Sequence, residues 1–561
     1  MSIFGSLYVG TSGLKTSQNA LNITSHNIAN VNTEGYTRQQ VYQSDLTYIK
    51  FGEAGNGQMQ KGLGVQVAEA VQVRDYFLDK NYREEYGRKN FYDSTLDAMS
   101  EVETLFGELE GTSFSDALKE FRTAFDELDK DPSTSEYQSL VILKGSQIVD
   151  RAKSIYDGLV SYQTHINKRI TEQVDRINEI GKKITELNRE IMKVEAGGVE
   201  KANDLRDTRN ILLDELSGYV SIDFKENVDG VITVSIEGVE FITEARYNKM
   251  DMIKDPITDF ATPIWPHLSD GTYYEEVFDL SKGVSTKANT DIGSLKALIL
   301  ARGEEPADYS YIEGMDAATY DKTTGLSAIV NSEAEFDQLI HNLVVAINDI
   351  LCPNKTITDD LGNTYTVWDA ENGHVGSDGQ GPGKELFSRK TVPRYNAVEL
   401  TVNGETSTYY VYNEEDTEQE STMYSIKSIV INEELLADES LFPHRTKSGE
   451  IDYGFTESLC DVWDKAFLTL NPDSIAPLNF TDYYSRMIES FSTDMKTVNT
   501  MANTLQNEVD TIENKRQQIV GVSSDEELTN MIKFQNAYNA SSRYINAVND
   551  MIEVLLTQVG A

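Results

Sequence analysis

Residues 7–39 read LYVGTSGLKTSQNALNITSHNIANVNTEGYTRQ. Leu7, Leu14, Leu21 and Ile28 recur every seventh residue, with the small Gly10, Ser17 and Thr24 between them. A sustained seven-residue apolar period is the sequence form of a helix that supercoils against another helix. Asn30-Val31-Asn32-Thr33-Glu34-Gly35 then reads as a stop and turn, rich in residues that tolerate left-handed backbone angles. From Met1 to Thr33 the only charged side chain is Lys15.

The other end of the chain repeats this pattern. From Ile532 to Ala561 charge is limited to Lys533, Arg543, Asp550 and Glu553, and Phe534, Ser541, Val548 and Leu555 step by seven. The two ends are natural mates. Fully burying four Leu or Ile side chains is worth about 6 to 12 kcal/mol, against a backbone ordering cost of about 1 to 2 kcal/mol per residue. One seam therefore cannot hold itself folded. The faces outside the seam carry Ser, Thr, Asn and Gln where a solvated helix carries Lys and Glu. This predicts helices surrounded by other subunits and ordered on assembly. The alternative at this level is a charge-poor pair of frayed termini.

Between the ends the chain is strongly acidic. Its 561 residues suffice for several domains, and a formal charge of −43 argues against nucleic acid and against an anionic membrane surface. No apolar run approaches the roughly 20 residues of a membrane span, and Met1 to Gly10 lacks the basic and apolar regions of a signal peptide. An outside location would then require a dedicated export route. Cys352 and Cys460 are too few for a disulfide framework or a cysteine zinc site.

The pattern along the chain predicts an α+β, elongated, multi-domain protein. Residues 1–90 hold the first helix and an extended segment, in which Phe51 to Gly64 is Gly-rich and Val65, Val67, Val71 and Val73 suggest short strands. Residues 91–352 form a long-helix domain. Its helical patterning starts near Phe91, and Ile170, Ile177, Ile184 and Ile191, with Ile180, Leu187 and Val194, mark a long rod. A turn at Ala196-Gly197-Gly198 leads back through Leu205, Leu212 and Leu216, and Val231 to Ile242 alternates as a β-hairpin after Asp229-Gly230. Residues 353–472 read as an inserted, mostly β outer domain. A returning long helix occupies 473–522, with Phe491, Val498, Leu505, Ile512 and Ile519 in one register and Ile488, Met495, Ala502 and Val509 in the other, and 523–561 is the C-terminal axial helix.

Catalytic and cofactor patterns are missing. The six histidines, His26, His165, His267, His341, His374 and His444, fall in no metal or Cys-His motif. Gly62-Leu63-Gly64 lacks the rest of a dinucleotide fingerprint, and no P-loop or nucleophile elbow occurs. Asp126, Glu127, Asp129 and Asp131 do not match an EF-hand loop. The expectation is a non-enzyme without cofactor or metal.

Ser25 to Gln39, containing N-I-A-N-x-N-T-x-G-Y followed by a basic residue, closely resembles the N-terminal signature of the bacterial flagellar axial proteins, the rod, hook and hook-associated proteins. Thr11-Ser12-Gly13-Leu14 and Gln18-Asn19-Ala20-Leu21 fit it, and Asp525 to Arg543 resembles the C-terminal helix of that family. The chain length, the long helices and the Ala202-Asn203-Asp204-Leu205-Arg206-Asp207 stretch, continuing to Leu216, resemble the hook-associated members in particular. Residues 353–472 match no counterpart.

The resemblance implies a structural adaptor that joins hook to filament and is needed for filament assembly. Self-association, the flagellar hook protein, a second hook-filament junction protein and a flagellar export chaperone would be its partners. It implies type III export without a cleaved signal peptide and an extracellular place in the flagellum. A rod or hook subunit, or a junction protein with an enzymatic surface insert, remain alternatives. The expected assembly interface comprises Leu7, Leu14, Leu21 and Ile28 with Phe534, Tyr538, Val548, Ile552 and Leu555. Asn27, Asn30 and Asn32 would satisfy helix-end and neighbouring backbone groups. Gly35 would supply an unusual backbone angle, beside Tyr36, and Arg38 a polar intersubunit contact.

Overall fold

The structure, a computed structural model, describes residues 3–54, 57–107, 113–198 and 200–559. The expected chain ends at Met1 and Ala561, and positions 55 and 56 of the Gly-rich run, lie outside the described residues. Helix α1 (Ile3–Ala29) is followed by β1 (Gln39–Asp45), β2 (Tyr48–Ala54), β3 (Gly57–Gly62) and β4 (Val65–Gln72). β1 pairs antiparallel with β4, and β2 with β3. Tyr42 lies opposite Glu69 but Gln43 opposite Val67. Ala68 is therefore the extra residue of a bulge, and the alternation of valines changes face there.

Helix α2 (Tyr76–Phe106) starts well before the apolar periodicity near Phe91. Its start is set by the Asp75 carboxylate, which accepts the N–H groups of Phe77 at 2.9 Å and Leu78 at 3.2 Å. Its first turns pack through charge: buried Arg83 donates to Asp214 at 2.7 Å, and buried Arg88 to Glu85 at 2.6 Å and Asp291 at 3.2 Å. Hydrophobic periodicity does not register such a face.

α3 (Phe114–Leu128), α4 (Ser135–Glu195) and α5 (Asn203–Tyr219) build the long-helix bundle. Ile170, Ile177, Ile180, Ile184, Leu187 and Ile191 of α4 are buried, whereas Val194, at the end of the predicted register, is exposed. The predicted hairpin is a three-stranded sheet, β5 (Ile222–Glu226), β6 (Ile232–Ile236) and β7 (Val239–Ile242) in that order. Asp229-Gly230 joins the first two strands, and Glu237-Gly238, both at positive φ, the last two. β8 (Asp251–Lys254) and β9 (Ala261–Ile264) form a further hairpin before α6 (Ser294–Arg302), α7 (Ala317–Tyr320) and α8 (Ala328–Leu351).

The next segment holds β10 (Asn354–Thr358), β11 (Thr364–Trp368), β12 (His374–Val375), β13 (Phe387–Arg389), β14 (Tyr395–Val402), β15 (Glu405–Tyr412), β16 (Ile429–Ile431) and β17 (Arg445–Thr446). Four of them form a sheet in the order β10-β11-β15-β14, while β12 pairs with β17 and β13 with β16. Two short helices, α9 (Glu433–Ala437) and α10 (Tyr453–Asp461), complete it. The segment is rooted in the bundle, since Phe387 and Trp463 pack edge-on against Phe121 of α3 and share one apolar core with α4 and α8. A polar stripe on α8 holds its backbone. Asn348 accepts the N–H groups of Leu386 at 3.1 Å and Phe387 at 3.2 Å, and Asp337 accepts that of Ile426 at 2.6 Å together with that of Tyr309, which precedes α8, at 2.9 Å.

α11 (Phe480–Val520) returns along α2 rather than along α4, with Ala502, Leu505 and Val509 buried. α12 (Ser524–Val559) then lies along α1.

Candidate assembly interface

α1 and α12 run antiparallel, because Gly10 faces Tyr544 and Ile545 while Gly13 faces Ser541. A Cβ at Gly10 would sit 2.8 Å from Ile545 Cγ1, and one at Gly13 3.0 Å from Ser541 Oγ. Small residues set the helix separation. The buried positions of α1 are Gly10, Thr16, Ser17, Ala20, Thr24 and Asn27. Leu7, Leu14, Leu21 and Ile28 flank this line and are only half-buried. On α12, Val548 is buried and Phe534, Tyr538 and Ile552 are half-buried. Leu555 is exposed, beside exposed Met551, Val554 and Leu556. Apart from Val548, the large apolar residues of both seams thus keep uncovered surface in the single chain.

The neutral polar face of α1 is partly engaged within the chain. Ser12 Oγ accepts the Val65 N–H at 3.3 Å and Thr16 donates to the Val65 carbonyl at 3.4 Å, so α1 grips the start of β4. Asn27 acts on the chain after the turn: its Nδ2 donates to the Gln39 carbonyl at 2.9 Å and its Oδ1 accepts the Gln39 N–H at 3.0 Å. The same Oδ1 accepts the Tyr36 hydroxyl at 2.8 Å. Asn30 closes the helix end by donating to the His26 carbonyl at 3.0 Å and accepting from Thr33 at 3.1 Å. Asn32 is exposed.

Gly35 has φ +72°, and a Cβ there would lie 2.6 Å from Ile211 Cγ1. Both the backbone angle and the close approach require glycine. The Tyr36 phenol is pushed well above its usual range by burial and by the carboxylates of Asp207, Asp204 and Glu527. Arg38 finds its polar partners in its own chain, Glu527 at 2.8 Å and Glu526 at 3.1 Å, and its N–H donates to the Val520 carbonyl at 2.8 Å. Glu527 is buried, which makes this pair a clamp between the turn and the start of α12.

A second clamp joins the turn to the helical bundle through residues to which sequence reasoning assigned no role. Asp207 of α5 accepts the Thr37 N–H at 3.2 Å and the Gln72 amide at 2.7 Å. Asn203 donates to the Ala70 carbonyl at 3.1 Å, and its own carbonyl accepts the Gln72 amide at 2.9 Å. Burial pushes Asp207 up to about 6, against the bonds from Thr37 and the charge of Arg74. A third set of charges ties in α11: Arg516 lies 2.8 Å from Asp214 and stacks over Tyr82, while Arg74 forks onto Asp79 at 2.8 and 2.9 Å. Asp207 and Asn203 belong to the Ala202 to Leu216 stretch, and Glu527 to the C-terminal one, so the signal was a motif without its partners.

Among the described residues no cluster of His, Cys, Asp and Glu has metal-site geometry, and no helix is long and apolar enough to cross a membrane.

This arrangement, two terminal helices paired and latched to a helical bundle, coincides with family boundaries. Residues 7–37 match the flagella basal body rod protein family and residues 515–558 the flagellar basal body rod FlgEFG protein C-terminal family. Both ends are thus similar to those of flagellar basal body rod proteins. Residues 99–363 match the flagellar hook-associated protein FlgK helical domain. Flagellar hook-associated protein 1 of Bacillus subtilis (strain 168) is 24% identical over 567 residues, spanning 100% of this chain and 99% of that protein. The same protein of Escherichia coli (strain K12) is 23% identical over 97% of this chain and 98% of its own length. Over its full length the chain is thus similar to flagellar hook-associated protein 1. A flagellar hook junction protein FlgK structure from Burkholderia pseudomallei aligns with a TM-score of 0.41 and 12% identity, over 57% of this chain and 48% of that one.

Proposed function

We propose that this chain is a structural adaptor that joins the flagellar hook to the filament and is required for the filament to assemble on the hook. The observation that carries this reading is the pair α1–α12, latched to the bundle but with its leucine seam only half-buried and the end of α12 uncovered. Surface of that kind is completed by neighbouring subunits. Copies of the same chain, the hook protein and a second junction protein are the partners that fit, with an export chaperone covering the exposed C-terminal residues before assembly. The place of action is extracellular, reached by export without a cleaved signal peptide, and the chain works without catalysis.

The helical-domain match over residues 99–363 favours this role over that of a rod or hook subunit. Leu14→Lys or Leu21→Lys tests it, by complementation of a strain lacking the chain. The variant is expected to be exported with its middle domains folded and to be missing from flagella. Normal filament attachment would contradict the assignment.

A further inference from the structure

Behind the latch, where β4, α2, α5 and the β5-β6 strands meet, lies a cavity of about 290 Å³. Arg74, Arg83, Lys201, Arg206 and Arg209 line it against only two carboxylates, Asp79 and Glu226. Within a chain of charge −43 this is a local excess of positive charge.

Much of that charge is neutralised on one side. Arg74 forks onto Asp79, and Arg83 bonds Asp214 at 2.7 Å and Asn210 at 3.3 Å. The α5 side is different, since Lys201, Arg206 and Arg209 are three cations sharing two carboxylates, Glu195 and Glu226. Arg206 takes both oxygens of Glu195, at 2.7 and 2.9 Å, and Lys201 stands off at 3.6 Å. Arg209 lies 3.4 Å from Glu226 and otherwise donates to the neutral Asn188 side chain at 2.9 Å and the Gly230 carbonyl at 2.6 Å. It is 1% exposed, and its Nε–H has no hydrogen-bond partner. Burial pulls Arg209 down to about 10, although Glu226 opposes the shift. A buried guanidinium with a free donor calls for an acceptor. The first turn of α5 adjoins the cavity through Asn203 and Arg206 and begins without a side-chain cap.

We propose that this cavity is an oxyanion site, taking a carboxylate or phosphate-class group on Lys201 and the free Nε–H of Arg209. The source is either a free anion or an acidic side chain of a second copy, which a chain with 92 acidic residues supplies in abundance. Gln72 and Asn203 line the same cavity and also hold Asp207 and Ala70, so occupancy stiffens the latch between the axial segment and the bundle.

The test is calorimetric titration of the full chain with inorganic phosphate, at ionic strength held constant with chloride, alongside Lys201→Gln and Asn210→Asp. Lys201 is exposed, and Asn210→Asp places a carboxylate at the cavity wall beside Arg83. One phosphate per chain is expected, weakened at least five-fold by Lys201→Gln and abolished by Asn210→Asp. Sedimentation with and without phosphate separates the sources: competition with self-association identifies a neighbour's carboxylate, and independence a free anion. No phosphate binding, or equal binding by all three chains, overturns the proposal.

Discussion

The Asp207 carboxylate accepts the backbone N–H of Thr37 at 3.2 Å, across 170 residues of sequence. Through this bond the axial signature, whose sequence reads as a helix stop, is fixed to the helical bundle. Asp207→Ala removes the acceptor for both Thr37 and Gln72 and leaves buried donors unpaired, at a cost of about 1 to 3 kcal/mol. Hydrogen exchange at Thr37 to Gln39 should accelerate while α4 and α8 keep their protection. Unchanged exchange at Thr37 would show that the latch carries no load.

Arg38→Ala strips the buried Glu527 of its ion pair. A charged hydrogen bond of this kind contributes about 1.5 to 3 kcal/mol, and the loss falls on the junction of α11 and α12. Limited proteolysis should cut near Gly521 to Ser524 faster than in the parent chain, with the bundle fragment intact.

Gly10→Val tests the close approach of α1 and α12. A branched side chain at 2.8 Å from Ile545 Cγ1 forces the helices apart and exposes Val548 and its neighbours. The expected outcome is loss of protection in both terminal helices and loss of incorporation into flagella, with the thermal midpoint of the bundle unchanged.

The chain should be less stable in mild base than in mild acid. Burial raises Glu333 to about 8, and Glu335 and Asp337 to about 7, on α8. Glu333 and Asp337 face Lys427 and each other, with Gln163 and the Ala307 N–H on Glu333 and the Tyr309 and Ile426 N–H groups and Asp308 on Asp337; Glu335 faces Asn331, Asn471 and Asp494. Folded pKa values above the unfolded ones mean that the folded state binds more protons, so this contribution is present at about pH 4 and is lost as pH rises to about 8. Glu333→Gln should raise the thermal midpoint at pH 8 relative to the parent and change it little at pH 5. Parallel pH profiles for the two chains would contradict the assignment.

What could be read in advance followed apolar periodicity. The isoleucines of α4, and Ala502, Leu505 and Val509 of α11, are buried at the seven-residue spacing the sequence shows. What could not be read was packing by charge and by small residues. The first turns of α2 are held by Arg83 and Arg88, and the α1–α12 contact by Gly10 and Gly13, none of which adds to an apolar stripe. The partners of Thr37 and Arg38 lie 170 and 489 residues away, so no local pattern names them. The root of the 353–472 segment, likewise, combines Phe387 and Trp463 packed on Phe121 with backbone bonds to Asn348 and Asp337, contacts that follow no heptad repeat.

The junction role is tested most directly by electron microscopy of cells lacking this chain, with flagellin assayed in the medium. Intact hooks without filaments, and flagellin lost to the medium, are the predicted result. Absent hooks would move the chain to the rod or hook, and filaments attached to hooks as before would contradict the account.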